Sequence, residues 1–187
     1  MIDRAHVHHE HTGRSSESRV NKHIILEALD LRRGQTILDA GCGNGYMSKQ
    51  FARSLDGDGK VYALDSDGDG IETLRKETIG TTIEPLQGDI TTTTTIEESS
   101  IDLVYLSNVM HGFSSDQTRG FCREVKRLLK PNGKLAIVEI DKQDASFGPP
   151  MSIRFSPEEL KQVIPLTPTD TVQVGQFFYM QVFENQK

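Results

Sequence analysis

Short apolar runs that alternate with segments of helical spacing constrain the fold of this chain most strongly. Five runs are predicted strands, and the tail predicts two more around Gly175. The runs are TILDA, VYALD, IEPLQGD, IDLVYLS and LAIVEI, and the tail is TVQVGQFFYMQVF. Strands that alternate with helices predict a parallel sheet with helices on both faces. Pro85 in the third run predicts an edge strand, because proline cannot donate to a neighbouring strand.

Four of these runs carry polar residues at or near their carboxyl ends. They are Asp39, Asp65, Asp89, and Ser107 with Asn108. The carboxyl ends of parallel strands lie at one edge of a sheet, and ligands bind at that edge near the point where the strand order reverses. The sequence therefore predicts a binding site built from these residues.

The length and charge of the chain limit the domain organisation and the partners. The 187 residues suffice for one domain with a hydrophobic core, which we place at 15–187. Residues 1–14, MIDRAHVHHEHTGR, are polar and rich in histidine, and we expect a flexible segment there. The net charge of −6 is spread without a basic block, so nucleic acid is not an expected partner.

Neither the cysteines nor the apolar content suggests an extracellular or membrane protein. Cys42 and Cys122 form no disulfide framework or C-x-x-C motif. No run approaches the roughly 18 apolar residues of a membrane span, and no apolar signal region begins the chain. We expect a cytoplasmic protein without a membrane partner, as a monomer or a homodimer.

The loop LDAGCGNGY favours a cationic nucleoside cofactor. Glycines at 41, 43 and 45 let the backbone turn sharply and approach a ligand, although a plain strand-to-helix turn is the simpler alternative. A dinucleotide fingerprint needs a third glycine where this chain has Tyr46. Asp39 would repel a pyrophosphate but suits a ligand with an amino group. An oxidoreductase of the NAD type is therefore the less favoured alternative.

These motifs together resemble class I S-adenosylmethionine-dependent methyltransferases, of the small methyltransferase domain 11/25 kind. The resemblance runs from about Gly34 to Ile140. The segments that carry it are ILDAGCGNGY, VYALDS, LQGDI, IDLVYLSNVMHGF and EVKRLLKPNGKLAIVE. It implies a Rossmann-like, doubly wound α/β fold with a seven-stranded sheet of order 3-2-1-4-5-7-6, in which strand 7 is antiparallel. It also implies S-adenosyl-L-methionine as the cofactor.

The resemblance assigns roles to the polar residues at the strand ends. Asp39 and the glycine-loop backbone match the pocket for the methionine part, and Asp65 matches the acid that accepts from the ribose hydroxyls. Asp89 matches a residue at the adenine, and Ser107 lies where the site opens toward the sulfonium and the acceptor. The implied cofactor-binding residues are Asp39, Gly41, Cys42, Gly43, Asp65, Ser66, Gly88, Asp89, Ile90, Ser107 and Asn108.

The stretch YALDSDGDG, residues 62–70, also fits the first half of a calcium loop, D-x-D-x-D-G. Counting from Asp65, the position that needs an oxygen ligand late in such a loop is Lys76. The segment before it predicts a strand rather than the helix of an EF-hand. We therefore assign Asp65 to ribose binding and predict no metal site. Asp67 and Asp69 are then expected to be solvated, with a helix N-cap role open to them.

His111, in SNVMHGF, is a candidate general base. It follows the fourth run, close to where the methyl group is expected, and its ordinary pKa of about 6.5 suits proton removal near neutral pH. A structural histidine at a strand end is the alternative, because the sulfonium is already activated and proximity supplies much of the rate.

The N-terminal segment offers three interpretations. The tract HVHHEH suits metal binding or a solvated tail. In small methyltransferases the segment before the first helix often covers the cofactor and substrate. His11, Arg14 and Arg19 are accordingly candidate lid residues.

The acceptor is expected to be a small molecule, methylated without a metal ion. The segment SNVM lacks the (Asn/Asp)-Pro-Pro-aromatic motif of enzymes that methylate nucleic-acid amino groups, the paired glutamates of arginine methyltransferases and the aspartate of catechol-type enzymes. A protein that binds S-adenosylmethionine without catalysis is a further alternative.

Replacement of Asp65 tests the ribose assignment against the calcium loop. Two charge-assisted hydrogen bonds are worth about 1.5–3 kcal/mol each. Asp65→Ala should therefore weaken S-adenosylhomocysteine binding by about tenfold or more in calorimetry. Asp67→Ala should barely change the affinity. Equal losses in both variants, or a calcium-dependent melting temperature, would support the metal loop instead.

Overall fold

The computed structural model describes residues 18–186 as a seven-stranded sheet flanked by helices. The strands are β1 Thr36–Ala40, β2 Lys60–Asp65, β3 Ile83–Gln87, β4 Ile101–Ser107, β5 Leu129–Ile140, β6 Thr167–Gly175 and β7 Phe178–Glu184. The helices are α1 Lys22–Leu29, α2 Tyr46–Ser54, α3 Gly68–Glu77, α4 Ser115–Leu128 and α5 Pro157–Val163. Short 3-10 turns span Met110–Gly112 and Met151–Ile153.

The sheet has the order β3-β2-β1-β4-β5-β7-β6, and β7 runs antiparallel to both of its neighbours. The predicted fold class is thus confirmed. β3, which contains Pro85, lies at one edge of the sheet, as predicted from its proline. None of the helices within residues 18–186 has the length and apolar character needed to span a bilayer.

Both faces of the central strands are buried, which explains why these strands are apolar without alternation. Along β4, Val104 and Leu106 join one hydrophobic cluster, while Leu103 and Tyr105 join the other. The first cluster includes Phe121, Val125 and Leu160 from α4 and α5. The second includes Ile25, Phe51 and Ile71 from α1, α2 and α3.

Two helices begin at capping boxes. At α5, Ser156 accepts from the Glu159 N–H and Glu159 accepts in return from the Ser156 N–H, as the sequence SPEE indicates. Ser114 and Gln117 form the same arrangement at α4. These side chains satisfy backbone N–H groups at the helix starts that have no partner within the helix.

β5 begins earlier than its apolar run suggests. Pairing with β4 starts at Leu129, and the register shifts before Lys134, because KPNGK bulges out with Asn132 at a φ of 61°. The side chain of Asn185 donates to the carbonyls of Leu129 and Lys130, so a residue near the end of the chain holds this bulge.

The threonine tract of residues 91–95 forms no helix or strand and lies against α4. The N–H and hydroxyl of Thr94 both donate to Glu124, whose side chain is buried and also binds Arg127. A Cβ at Gly120 would lie 1.9 Å from the backbone oxygen of Thr91. The close approach of the tract to α4 therefore requires glycine at position 120.

Gly120→Ala should lower stability, because the new methyl group meets backbone that cannot rotate away. Overpacking of this kind costs about 1–3 kcal/mol. In a chain of this length we expect a melting temperature about 2–12 °C lower. Gly70→Ala is the matched control, since the atoms nearest to that methyl group belong to the side chain of Asp67 and not to backbone. Similar melting temperatures for the two variants would contradict the tight contact at Thr91.

Candidate functional site

The strand order reverses between β1 and β4, and the glycine loop leaves β1 at this point. The chain runs outward from β1 to β2 and β3, and then returns to place β4 on the other side of β1. The N–H groups of Gly41 and Cys42 donate to the Leu64 carbonyl, at 2.7 and 3.1 Å. The loop is therefore held against the carboxyl end of β2.

The three loop glycines all have positive φ angles, but their surroundings differ. A Cβ at Gly41 would lie 2.7 Å from Val109, and one at Gly45 would lie 2.5 Å from Leu74. These two positions need glycine for packing. At Gly43, with φ of 52°, a Cβ would meet no protein atom within 4 Å. Gly43 therefore faces open space at the predicted ligand edge.

Asp65 ends β2 and is anchored by two backbone groups. One carboxylate oxygen accepts from the Gly43 N–H at 2.8 Å, and the other accepts from the Asp67 N–H at 3.0 Å. The side chain is almost fully buried, with a residue exposure of 9%. Each carboxylate oxygen can accept more than one hydrogen bond, so these contacts orient the group without saturating it.

Asp67 caps α3, the helix that follows Asp65. Its carboxylate accepts from the Asp69 N–H at 3.1 Å, which is an N-cap contact. The predicted capping role is thus seen at Asp67, while Asp69 lies in the first turn of α3. The acidic stretch is consequently the end of a strand followed by the start of a helix.

Asp39 lies near the end of β1, close to Asp65. Burial raises the pKa of Asp39 to about 6, while hydrogen bonds from Ser48 oppose the shift and the charge of Asp65 adds to it. The Ser48 hydroxyl donates to Asp39 at 2.5 Å. Sequence reasoning missed Ser48, although a serine in the first turn after a glycine loop is a usable signal.

The remaining predicted residues near the loop divide into buried and exposed groups. Cys42 is 8% exposed, and burial raises the pKa of its thiol, so it remains protonated at neutral pH. Ile90 is packed in the core. Ser66 and Asp89 are exposed, and the Asp89 carboxylate accepts from the Thr91 N–H at 2.8 Å. The Gly88 N–H donates to the Asp65 carbonyl, which keeps the end of β3 beside β2.

Ser107 and Asn108 form the end of β4. Asn108 has a φ of 57°, and its side-chain amide donates to the Ser107 hydroxyl at 3.0 Å. Its backbone N–H donates to Val138 of β5. Below them, the buried Tyr105 hydroxyl is hydrogen-bonded to Ser107. Tyr105, Ser107 and Asn108 thus form a chain of hydrogen bonds from the interior of the sheet to the edge where the ligand is predicted to bind.

His111 follows β4 and pairs with a glutamate that sequence reasoning missed. Its Nδ1 lies 2.7 Å from Oε2 of Glu139, which is fully buried on β5. Burial lowers the pKa of His111, but the hydrogen bond and charge of Glu139 outweigh it, and the net shift is upward. The usable signal for Glu139 is a single charged residue within the apolar run LAIVEI.

A second missed residue, Arg154, organises the loop after β5. Its side chain is buried, and its guanidinium donates to backbone carbonyls of that loop. The acceptors are Asp141, Gln143, Phe147 and Pro149. The charge of Arg154 also opposes protonation of His111. These hydrogen bonds hold the segment FGPPMSIR in place after β5.

Of the three candidate lid residues, the structure describes Arg19. Its guanidinium carbon lies 4.0 Å from the ring centroid of Phe147, and that ring stacks on Phe178 at the start of β7. Ile140 at the end of β5 pairs with Phe178, so Arg19 lies at the same edge of the sheet as the site. His11 and Arg14 lie outside the described residues.

Comparisons with known proteins agree with this geometry. The sequence profile described as a methyltransferase domain matches residues 37–133. An uncharacterised 37.1 kDa protein of transposon Tn4556 from Streptomyces fradiae is 33% identical over 125 residues, which are 66% of this chain and 35% of that protein. The ubiquinone/menaquinone biosynthesis C-methyltransferase UbiE of Enterobacter sp. is 26% identical over 128 residues, covering 66% of this chain and 50% of UbiE. The chain thus spans about a third to a half of these relatives.

A solved structure gives the same picture at the level of the fold. The SAM-dependent methyltransferase from Aquifex aeolicus superposes with a TM-score of 0.80 at 23% identity, covering 91% of this chain and 93% of that one. The profile match covers more than half of the 187 residues. The chain therefore belongs to the methyltransferase domain family, and membership of this family implies S-adenosylmethionine as the cofactor.

Proposed function

We propose that this protein transfers the methyl group of S-adenosylmethionine to a small-molecule acceptor without a metal ion. The observation that carries the proposal is the contact between the Gly43 N–H and the Asp65 carboxylate. It holds an acid and an open glycine backbone side by side at the strand-order reversal, where nucleoside ligands bind in such sheets. The family membership supports the cofactor.

The residues present fit the cofactor. Asp65 is oriented by two backbone N–H groups and keeps acceptor capacity for the ribose hydroxyls. Asp39 carries a negative charge above a pH of about 6, which suits the ammonium of the methionine part. Gly41 and Gly43 present backbone to the ligand, and Asp89 follows β3 on the side expected for the adenine.

When bound, the cofactor supplies an electrophilic methyl group on a sulfonium sulfur. The protein's part is to orient that group and keep water from it. Ser107 and Asn108 end β4 beside the glycine loop, and we place them at the sulfonium side of the site. Approximation of acceptor and methyl group accounts for a large share of the rate in such transfers.

The hydrogen bonds that the acidic side chains of the site make support a metal-independent reaction. Asp65 accepts from Gly43 and Asp67, while Asp39 accepts from Ser48. Asp67 caps a helix. Among the described residues, no group of three or more His, Cys, Asp or Glu side chains is arranged to hold a metal ion.

A small acceptor fits the charge and the relatives. The net charge of −6 without a basic block disfavours nucleic acid. UbiE, one of the similar proteins, is named for methylation in quinone biosynthesis. We further propose that Arg19, whose guanidinium lies over the Phe147 ring, contributes to the acceptor entrance. The lid roles of His11 and Arg14, which lie outside the described residues, stay a prediction.

Gly43→Val tests the position of the cofactor pocket. A Cβ at Gly43 would meet no protein atom within 4 Å, so we expect a folded variant whose new side chain occupies the open space at the loop. It should lose about a hundredfold or more in S-adenosylhomocysteine affinity, corresponding to about 2.7 kcal/mol. Calorimetry measures the affinity, and circular dichroism measures the fold.

Gly34→Val is the matched control. Gly34 also has a positive φ, 81°, and a Cβ there would meet no protein atom within 4 Å, so the backbone strain is similar. Gly34 precedes β1 and lies at the opposite end of that strand from the loop. Equal affinities in the two variants would place the cofactor elsewhere.

The pH dependence of binding tests the role of Asp39. Its pKa is raised to about 6, so its charge is lost as the pH falls through that value. Affinity for S-adenosylhomocysteine should be constant near pH 8 and about tenfold weaker at pH 5. Ser48→Ala removes a hydrogen bond to the carboxylate, so the midpoint should move to higher pH. An affinity that stays constant from pH 8 to 5 would exclude Asp39 from ammonium binding.

A further inference from the structure

The buried pair of His111 and Glu139 is the strongest unassigned chemical feature of the described residues. Both oxygens of Glu139 face His111. Oε2 lies 2.7 Å from the ring Nδ1, and Oε1 accepts from the His111 backbone N–H at 3.3 Å. Glu139 is fully buried and the His111 side chain is 12% exposed. Burial of a carboxylate costs free energy of desolvation, and apolar residues at such a position often give equal or greater stability. Stability alone therefore does not account for Glu139.

The contact determines which ring nitrogen carries the proton. A carboxylate can only accept, so neutral His111 holds its proton on Nδ1 and its lone pair on Nε2. A carboxylate at one ring nitrogen is the standard means of orienting an imidazole that acts as a base at the other. The fixed ring therefore presents one defined basic atom.

The pair lies beside the proposed cofactor pocket. Val109, two residues before His111, is the side chain that a Cβ at Gly41 would meet, so this turn packs directly on the glycine loop. The Asn108 N–H donates to Val138, the residue before Glu139. The ends of β4 and β5 thus bring the imidazole and the loop to one edge.

The charged groups around the pair include one cation and several carboxylates. Arg154, buried in the loop after β5, opposes protonation of His111. Tyr179 of β7 donates to the Phe155 carbonyl, and burial, with the charge of Glu139 second, raises the pKa of its hydroxyl, so it stays neutral. The charges of Asp141, Glu158 and Glu159 raise the pKa of that hydroxyl further. An acceptor hydroxyl that gives its proton to His111 leaves an oxyanion beside the imidazolium, and these two opposite charges attract each other.

We propose that Glu139 is a positioning residue that holds His111 as the general base for an acceptor with an acidic hydroxyl group, of the phenol or enol class. The inference rests on the proposed methyltransferase function and names its acceptor. A phenolic hydroxyl, with a pKa of about 10, gains most from a base, because a thiol ionises more readily and a thioether has no proton to lose.

Proton removal and methyl transfer balance for a hydroxyl acceptor. The lone pair on Nε2 of His111 takes the hydroxyl proton, and the oxygen forms a bond to the methyl carbon. The bond between that carbon and the sulfonium sulfur breaks, and its electron pair stays on sulfur. The products are the methyl ether, S-adenosylhomocysteine and an imidazolium that Glu139 stabilises until the proton passes to solvent.

Glu139→Gln tests the proposal while preserving a hydrogen-bond acceptor. The assay follows S-adenosylmethionine with phenol and with para-nitrophenol, which is more acidic. We expect a loss of about a hundredfold in kcat on phenol, with unchanged affinity for S-adenosylhomocysteine. The loss should be much smaller on para-nitrophenol, which ionises without help. His111→Gln should reproduce this pattern.

The pH–rate profile separates positioning from a purely structural role. Activity on phenol in the parent protein should rise with pH through the raised pKa of His111, because the neutral imidazole is the base. In Glu139→Gln that rise should occur at lower pH, since the carboxylate that raised the pKa is gone. An unmoved profile, or equal losses on both phenols, would overturn the proposal.

A measurement on the parent protein covers the case in which the variants do not fold. Nitrogen-15 spectra of its histidines should show His111 with the proton on Nδ1 and with a pKa above its ordinary value. The opposite tautomer would overturn the assignment. Binding of S-adenosylhomocysteine without turnover of either phenol would refute the acceptor class and leave the cofactor site intact. Absence of that binding would instead refute the proposed function.

Discussion

The hydrogen bond from the Gly43 N–H to the Asp65 carboxylate is the contact on which the rest of the site depends. It joins the loop after β1 to the acid that ends β2, in addition to the hydrogen bonds from Gly41 and Cys42 to the Leu64 carbonyl. Without it, Asp65 would lie near the second buried acid, Asp39, with one fewer stabilising donor, and the two charges repel. The hydrogen bond from the loop backbone thus offsets part of the electrostatic repulsion between the two acids.

The two sides of the sheet-order reversal differ in their electrostatics. On the β1 and β2 side, Asp39 and Asp65 provide negative charge, which suits a cofactor with an ammonium and a sulfonium. On the β4 and β5 side, Glu139 contacts the His111 ring, and Arg154 provides a buried cation. This difference underlies the proposal that a cationic methyl donor lies on one side and an acidic hydroxyl acceptor on the other.

Much of the fold followed from local patterns that the structure confirms. Alternating runs indicated the parallel strands, and Pro85 indicated the edge position of β3. The strand order and the antiparallel β7 came from the resemblance to methyltransferases. The residues KPNGK were predicted less well. They bulge from β5, which already pairs with β4 at Leu129, and the bulge is held by Asn185, which is distant in sequence.

The sequence by itself determined which residues end the strands, and therefore that Asp39, Asp65 and His111 lie at one edge, because strand periodicity and glycine placement are local properties. Only the tertiary structure decided which of them touch. Glu139 meets His111 from a strand 28 residues away in sequence, and Arg154 closes a loop by binding its carbonyls. When both faces of a strand are buried, the hydrophobic pattern of the sequence does not show which face a single charged residue such as Glu139 occupies, or which side chain it contacts. Those contacts depend on sheet order and register, which are set by the packing of the whole chain.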